Sequence, residues 1–222
     1  YLYNDAYDLE DIKKEMVKNL SLDKFISVYN GSLVTIFEKE TEEEIDVSKY
    51  EENVIVKKIK EPRYIKKIIS SYENFIKYLL SNETKINYEY LWDFICQPKS
   101  KNGLLFDKGV NMLIFNSPSD DITDKIELIC PKTDYSTTLF NKVLDTIILY
   151  SKNNYFEPIC QVKRIYGANK RIKTQTVINK FLSIDDIQRK TPEILDILLE
   201  IVTDNLTHCL GETSISKGVY KF

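Results

Sequence analysis

The sequence predicts an α+β fold: a mixed or mainly antiparallel central sheet flanked by helices. Three observations carry this expectation. Ile65, Ile68, Ile69, Tyr72, Phe75, Ile76, Leu79 and Leu80 recur at spacings of three and four, which is one apolar helical face several turns long. Between Gly109 and Val162 the runs GVNMLIF, KIELIC and DTIILY are separated by turn-rich stretches, the pattern of short core strands. DTIILY-SKNN-YFEPI then reads as an antiparallel hairpin.

The chain opens with LEDIKKEMVKNL, which places Leu9, Ile12, Met16 and Leu20 on one helical face. Glu10 and Asp11 at its start and Lys18 near its end suit the helix dipole. Ser21 and Asp23 are candidate caps for a second helix, LDKFISVY, which Asn30-Gly31 stops. SLVTIFE reads as a strand, with alternation at Leu33, Thr35 and Phe37, and NVIVKKI as another, ended by Pro62. Between them residues 38–52 form an acidic stretch with little to bury, the composition of a solvated loop.

After the long helix from Arg63 to Leu80, residues 87–96 form a short helix. Asn87 is its candidate cap, Trp92 its buried anchor and Pro98 its stop. PKSKNG is a loop, and NMLIF is an inner strand. Beyond the hairpin, VKRIYGANKRIKTQTVI reads as a further hairpin turning at Gly167-Ala168-Asn169. The chain closes with a helix that starts at Thr191-Pro192-Glu193 and stops at Gly211. Residues 1–175 are expected to form the core and 176–222 a helical extension packed on it, one domain overall.

Composition excludes several classes. The net charge of -3 gives no overall pull toward nucleic acid or membrane. No apolar run approaches the roughly 20 residues that span a bilayer, and no signal peptide is present. A start at Tyr1 in place of Met suggests a fragment or a processed product. The cysteines Cys96, Cys130, Cys160 and Cys209 form no CxxC pair, so they read as reduced, buried thiols of an intracellular protein.

Chemical motifs are sparse. GxGxxG, GxxxxGK[ST], GxSxG and HExxH are all missing, and the single histidine, His208, sits beside Cys209. On a helix, neighbouring side chains diverge by about 100°, too far for a nucleophile–base hydrogen bond. Asp120, Asp121 and Asp124 read as turn formers, and Glu157 has no partner acid. No catalytic residue, metal site or cofactor is expected.

Two surfaces remain. Lys163, Arg164, Lys170, Arg171 and Lys173, with Tyr166 among them, form a basic ribbon of the type that contacts phosphates or another anionic partner, unless it is simply a solvated edge hairpin. The last helix is apolar around more than one face, and Leu195, Leu198, Val202 and Leu206 are its candidate partner-facing residues.

The element order, from LEDIKKEMV through YLLSN, YLWDFI and NMLIF to ILYSKNNYFEPI, resembles OTU-like cysteine peptidases, the deubiquitinating fold. The resemblance covers roughly residues 9–162. It implies a catalytic histidine before an aromatic residue in the last hairpin, where this chain has Asn154-Tyr155-Phe156. It also implies an Asp-Gly-x-Cys nucleophile segment before the first helix, and residues 1–8 hold no cysteine. A member with this sequence would be inactive, or would carry its cysteine upstream.

The abundance of Lys, Asn, Ile and Tyr, together with NMLIF, DDITDKIELICP and YFEPI, also resembles large proteins of giant DNA viruses. That resemblance implies host cytoplasm or virion and no particular activity. The reading is therefore a non-enzymatic interaction or scaffold domain of a larger viral protein that binds a protein partner or itself. An OTU-like peptidase or its inactive relative, and a nucleic-acid binder acting through residues 163–173, are the alternatives.

Overall fold

The computed structural model describes residues 8–39, 45–84, 87–116, 127–129, 141, 143–152, 155–165, 175–179, 181–183, 185 and 188–189. The chain divides between Gly109 and Val110 into two compact units. All named helices lie in the first and all named strands in the second, so the protein is α+β.

The helical unit contains α1 (Leu9–Asn19), α2 (Leu22–Ser27), α3 (Ser32–Ile36), α4 (Val54–Lys58), α5 (Pro62–Leu80) and α6 (Trp92–Cys96). Asp8 caps α1 by accepting from Asp11 N–H, and Ser21 caps α2 by accepting from Lys24 N–H. The apolar stripe of α5 faces the core as its spacing predicts: Ile68, Ile69, Tyr72, Phe75 and Leu79 are buried, while Leu80 at its end is exposed. Phe75 is the hub. Its ring lies 5.4 Å from Phe25, 4.9 Å from Phe37 and 5.6 Å from Phe94, within the range where aromatic pairs add to simple burial.

Two segments expected as strands are helices. In α3, Leu33, Val34 and Phe37 are buried while Thr35 and Ile36 are exposed. That is the i, i+1, i+4 pattern of a helix turn, and the apparent alternation of Leu33, Thr35 and Phe37 is a misread period. In α4 the Asn53 side chain accepts from the N–H groups of Ile55 and Val56, and this cap outweighs the strand preference of Val54, Ile55 and Val56. The 87–96 helix is also broken. A 3-10 turn at Tyr88–Tyr90, capped by Asn87, precedes α6.

The loop after α6 is tied down from several sides. Lys24 Nζ donates to Gly103 O at 2.9 Å, Asn19 to Leu104 O at 2.9 Å, and Leu104 N–H to Phe94 O at 2.8 Å. A Cβ on Gly103 would stand 1.7 Å from Gln97 O, so only glycine permits this approach.

In the second unit the named strands are β1 (Asn111–Asn116), β2 (Glu127–Leu128), β3 (Thr146–Lys152), β4 (Tyr155–Ile159), β5 (Gln161–Ile165) and β6 (Gln175–Asn179). The main sheet has the order β2-β1-β3-β4 and is mixed: β1 and β3 are parallel, the other pairs antiparallel. β1 is the inner strand expected, buried on both faces from Asn111 to Phe115. β5 and β6 form a separate antiparallel hairpin. The division expected at residue 175 falls on the first residue of β6.

Asn111 organises the entry to this sheet. Its amide donates to Asn141 O at 2.8 Å, Leu144 O at 3.2 Å and Thr146 Oγ1 at 3.1 Å, and its oxygen accepts from Asn141 N–H at 2.8 Å. The side chain is 4% exposed. A buried amide is tolerated only when its donors and acceptor are met in this way.

Candidate functional site

Among the described strands β4 pairs with β3, in the register Lys152↔Tyr155 to Ile148↔Ile159, and stands last in the order of the main sheet. Every one of its residues is exposed. Tyr155 is 78% exposed, Phe156 41% and Ile159 42%; Val162 in β5 adds 59% and its register partner Ile178 in β6 adds 56%. Glu157 is the sole charge from Tyr155 to Val162. Scattered apolar residues on a surface are ordinary, but a run of aromatic and aliphatic groups within eight residues marks a contact surface.

Pro158 shapes what this edge can do. A proline within a ladder must turn its nitrogen away from the neighbouring strand. The outer edge of β4 therefore lacks a donor at Pro158 and is poorly suited to indiscriminate strand addition. The edge offers side chains more than an open backbone ladder.

The basic ribbon is brought together only in part. Lys163 and Arg164 lie in β5 opposite Val177 and Thr176, and the expected hairpin forms. Lys170, Arg171 and Lys173 lie outside the described residues, as do Leu195, Leu198, Val202 and Leu206 of the last helix. Tyr155 and Phe156, which align with the peptidase hairpin motif, lie in β4, while Asn154, His208, Cys209, Cys130 and the Asp120, Asp121 and Asp124 group are also outside the described residues. Cys96 and Cys160 are half-buried instead of buried. Among the described residues no cluster of His, Cys, Asp or Glu could hold a metal ion, and no helix is long and apolar enough to cross a membrane.

Polar groups in the helical core have a structural role. α6 begins at Leu91, which has no capping side chain. The Tyr29 hydroxyl supplies the cap, accepting from Asp93 N–H at 3.2 Å. Tyr29 reaches it from a left-handed backbone (φ 50°), followed by Asn30 (φ 54°) and Gly31 (φ 78°). Burial pushes the Tyr29 hydroxyl far above the ordinary phenol range, and burial likewise raises the Asp93 carboxyl, partly offset by a hydrogen bond from Gln97. Both groups are thus biased toward their neutral forms, and neither is paired as a nucleophile with a base.

A feature that the periodicity argument passed over lies at the start of α5. Residues 57–67 hold Lys57, Lys58, Lys60, Arg63, Lys66 and Lys67 against one acid, Glu61, a local net charge of +5. Lys57 pairs with Glu52 and Lys67 with Glu38. The first turn of α5 contains no acid, and its N-cap Glu61 makes no capping bond. α1 shows the ordinary arrangement, with Glu10 and Asp11 in its first turn and Lys18 in its last.

No family model, curated relative or solved structure matches the chain. The peptidase-like and viral resemblances rest on the sequence alone.

Proposed function

We propose that the chain is a non-enzymatic protein-interaction domain whose docking surface is the β4 edge and its continuation into β5 and β6. The observation that supports this reading most is the exposure of every residue of β4, with Tyr155, Phe156 and Ile159 followed along the chain by exposed Val162 and one charge among residues 155–162. Aromatic anchors of this kind dominate binding energy in protein interfaces. The proline at position 158 favours a partner that packs on these side chains over one that merely adds a strand.

Site-specific photo-crosslinking tests the proposal. A photoreactive phenylalanine analogue is placed at Tyr155 and, as a control, at Leu9, an apolar residue of the helical unit that is 65% exposed. Crosslinking to one protein species, another copy or a partner, from position 155 and not from position 9 supports the reading. Equal labelling from both positions, or none from 155, removes it.

A further inference from the structure

We infer that the basic cluster at the start of α5 is a second binding surface, and that it takes the phosphate backbone of single-stranded nucleic acid. The inference does not depend on the β4 edge. Of the six cations in residues 57–67, Lys57 and Lys67 are held by Glu52 and Glu38. Lys58, Lys60, Arg63 and Lys66 are exposed, and none of them pairs with a carboxylate among the described residues. They run from the last turn of α4 through the connection into the first two turns of α5. Along α5, Arg63 and Lys66 are about 4.5 Å apart in rise and on neighbouring rows of the helix surface.

The cluster also stands where a helix tolerates cations least. Arg63 occupies the first turn of α5, with no acid in that turn to oppose it, and Lys66 and Lys67 follow in the second turn. Fold stability does not call for this arrangement. A polyanion would be attracted by both the side chains and the helix end.

Among polyanions, the local side chains favour nucleic acid. The apolar residues interleaved with the cations, Ile59 and Ile65, pack against the helical core. They are not available to enter a lipid surface, as a membrane-bound amphipathic helix requires. The outward ring is Tyr64, 46% exposed and next to Arg63 along the chain, which can stack on a base while the cations contact phosphates.

The test uses the whole chain and a fluorescein-labelled oligothymidylate, followed by anisotropy over a salt series. Four phosphate contacts predict a log–log salt slope of about -3. Lys60→Gln, Arg63→Gln and Lys66→Gln together should cut the slope by about 2. Tyr64→Ala should weaken affinity with little change in slope. Lys170→Ala with Arg171→Ala, in the other basic segment, should leave the slope unchanged. The charge-reversed triple variant, Lys60→Glu, Arg63→Glu and Lys66→Glu, should lose binding while melting no lower than wild type, because its acids suit the helix end. No binding at low salt, a slope that tracks Lys170 and Arg171 instead, or capture by phosphatidylserine vesicles without oligonucleotide binding would each overturn the inference.

Discussion

The Tyr29 hydroxyl accepts a hydrogen bond from the backbone N–H of Asp93 at 3.2 Å, across 64 residues of sequence. It replaces the cap that Leu91 cannot provide. Tyr29→Phe keeps the ring packing and removes the acceptor, leaving the Asp93 N–H at the start of α6 buried and unpaired. The expected loss is about 1–3 kcal/mol of unfolding free energy, read by urea denaturation with Trp92 fluorescence as the probe. A neutral result would show that α6 needs no cap from Tyr29.

Asp93 makes stability depend on pH. Burial raises its folded-state carboxyl above the ordinary value, so the folded protein holds this proton more tightly than the unfolded chain. Stability from this group is therefore present below the unfolded value of about 4 and is lost as pH rises through the raised folded value. Asp93→Asn should remove that loss. Its stability relative to wild type should grow as pH climbs above about 4, measured by denaturant midpoints across a pH series. A constant difference at all pH values would contradict the assignment.

The start of α5 should be improvable. Arg63→Glu places an acid at the positive end of the helix and should stabilise the fold by about 0.3–1 kcal/mol, seen as a raised Tm at low salt that shrinks as salt is added. A lower Tm would mean that Arg63 has a structural partner.

Asn111→Ala should cost at least about 2 kcal/mol, since it leaves the half-buried carbonyls of Asn141 and Leu144, the N–H of Asn141 and the buried Thr146 hydroxyl without this partner. Thermal unfolding monitors the loss. A change below about 0.5 kcal/mol, the scale of ordinary surface substitutions, would mean that the amide is dispensable.

Legibility followed the physics of each segment. The α5 stripe, the β1 inner strand and the β3–β4 hairpin were readable because each has one dominant period and clear punctuation. α3 and α4 were misread because β-branched residues imitate strands, although Asn53 before Val54 was a visible cap. The Tyr29–Asp93 contact and the Asn111 clamp join residues distant in sequence, and no local pattern announces them. The YFEPI segment was legible as a return strand, but its exposure depends on what packs beside it. The basic residues 57–67 are visible in the sequence but follow no regular period, unlike the apolar face of the same helix.

The most direct measurement is light scattering coupled to size-exclusion chromatography, on the wild-type chain and on the Tyr155→Lys, Ile159→Lys variant, alone and after mixing with an extract of the cells in which the protein is naturally made. The account predicts a wild-type dimer, or a stoichiometric complex, that the variant fails to form while keeping the same circular dichroism. A wild-type chain that stays monomeric and retains nothing beyond what the variant retains would contradict it.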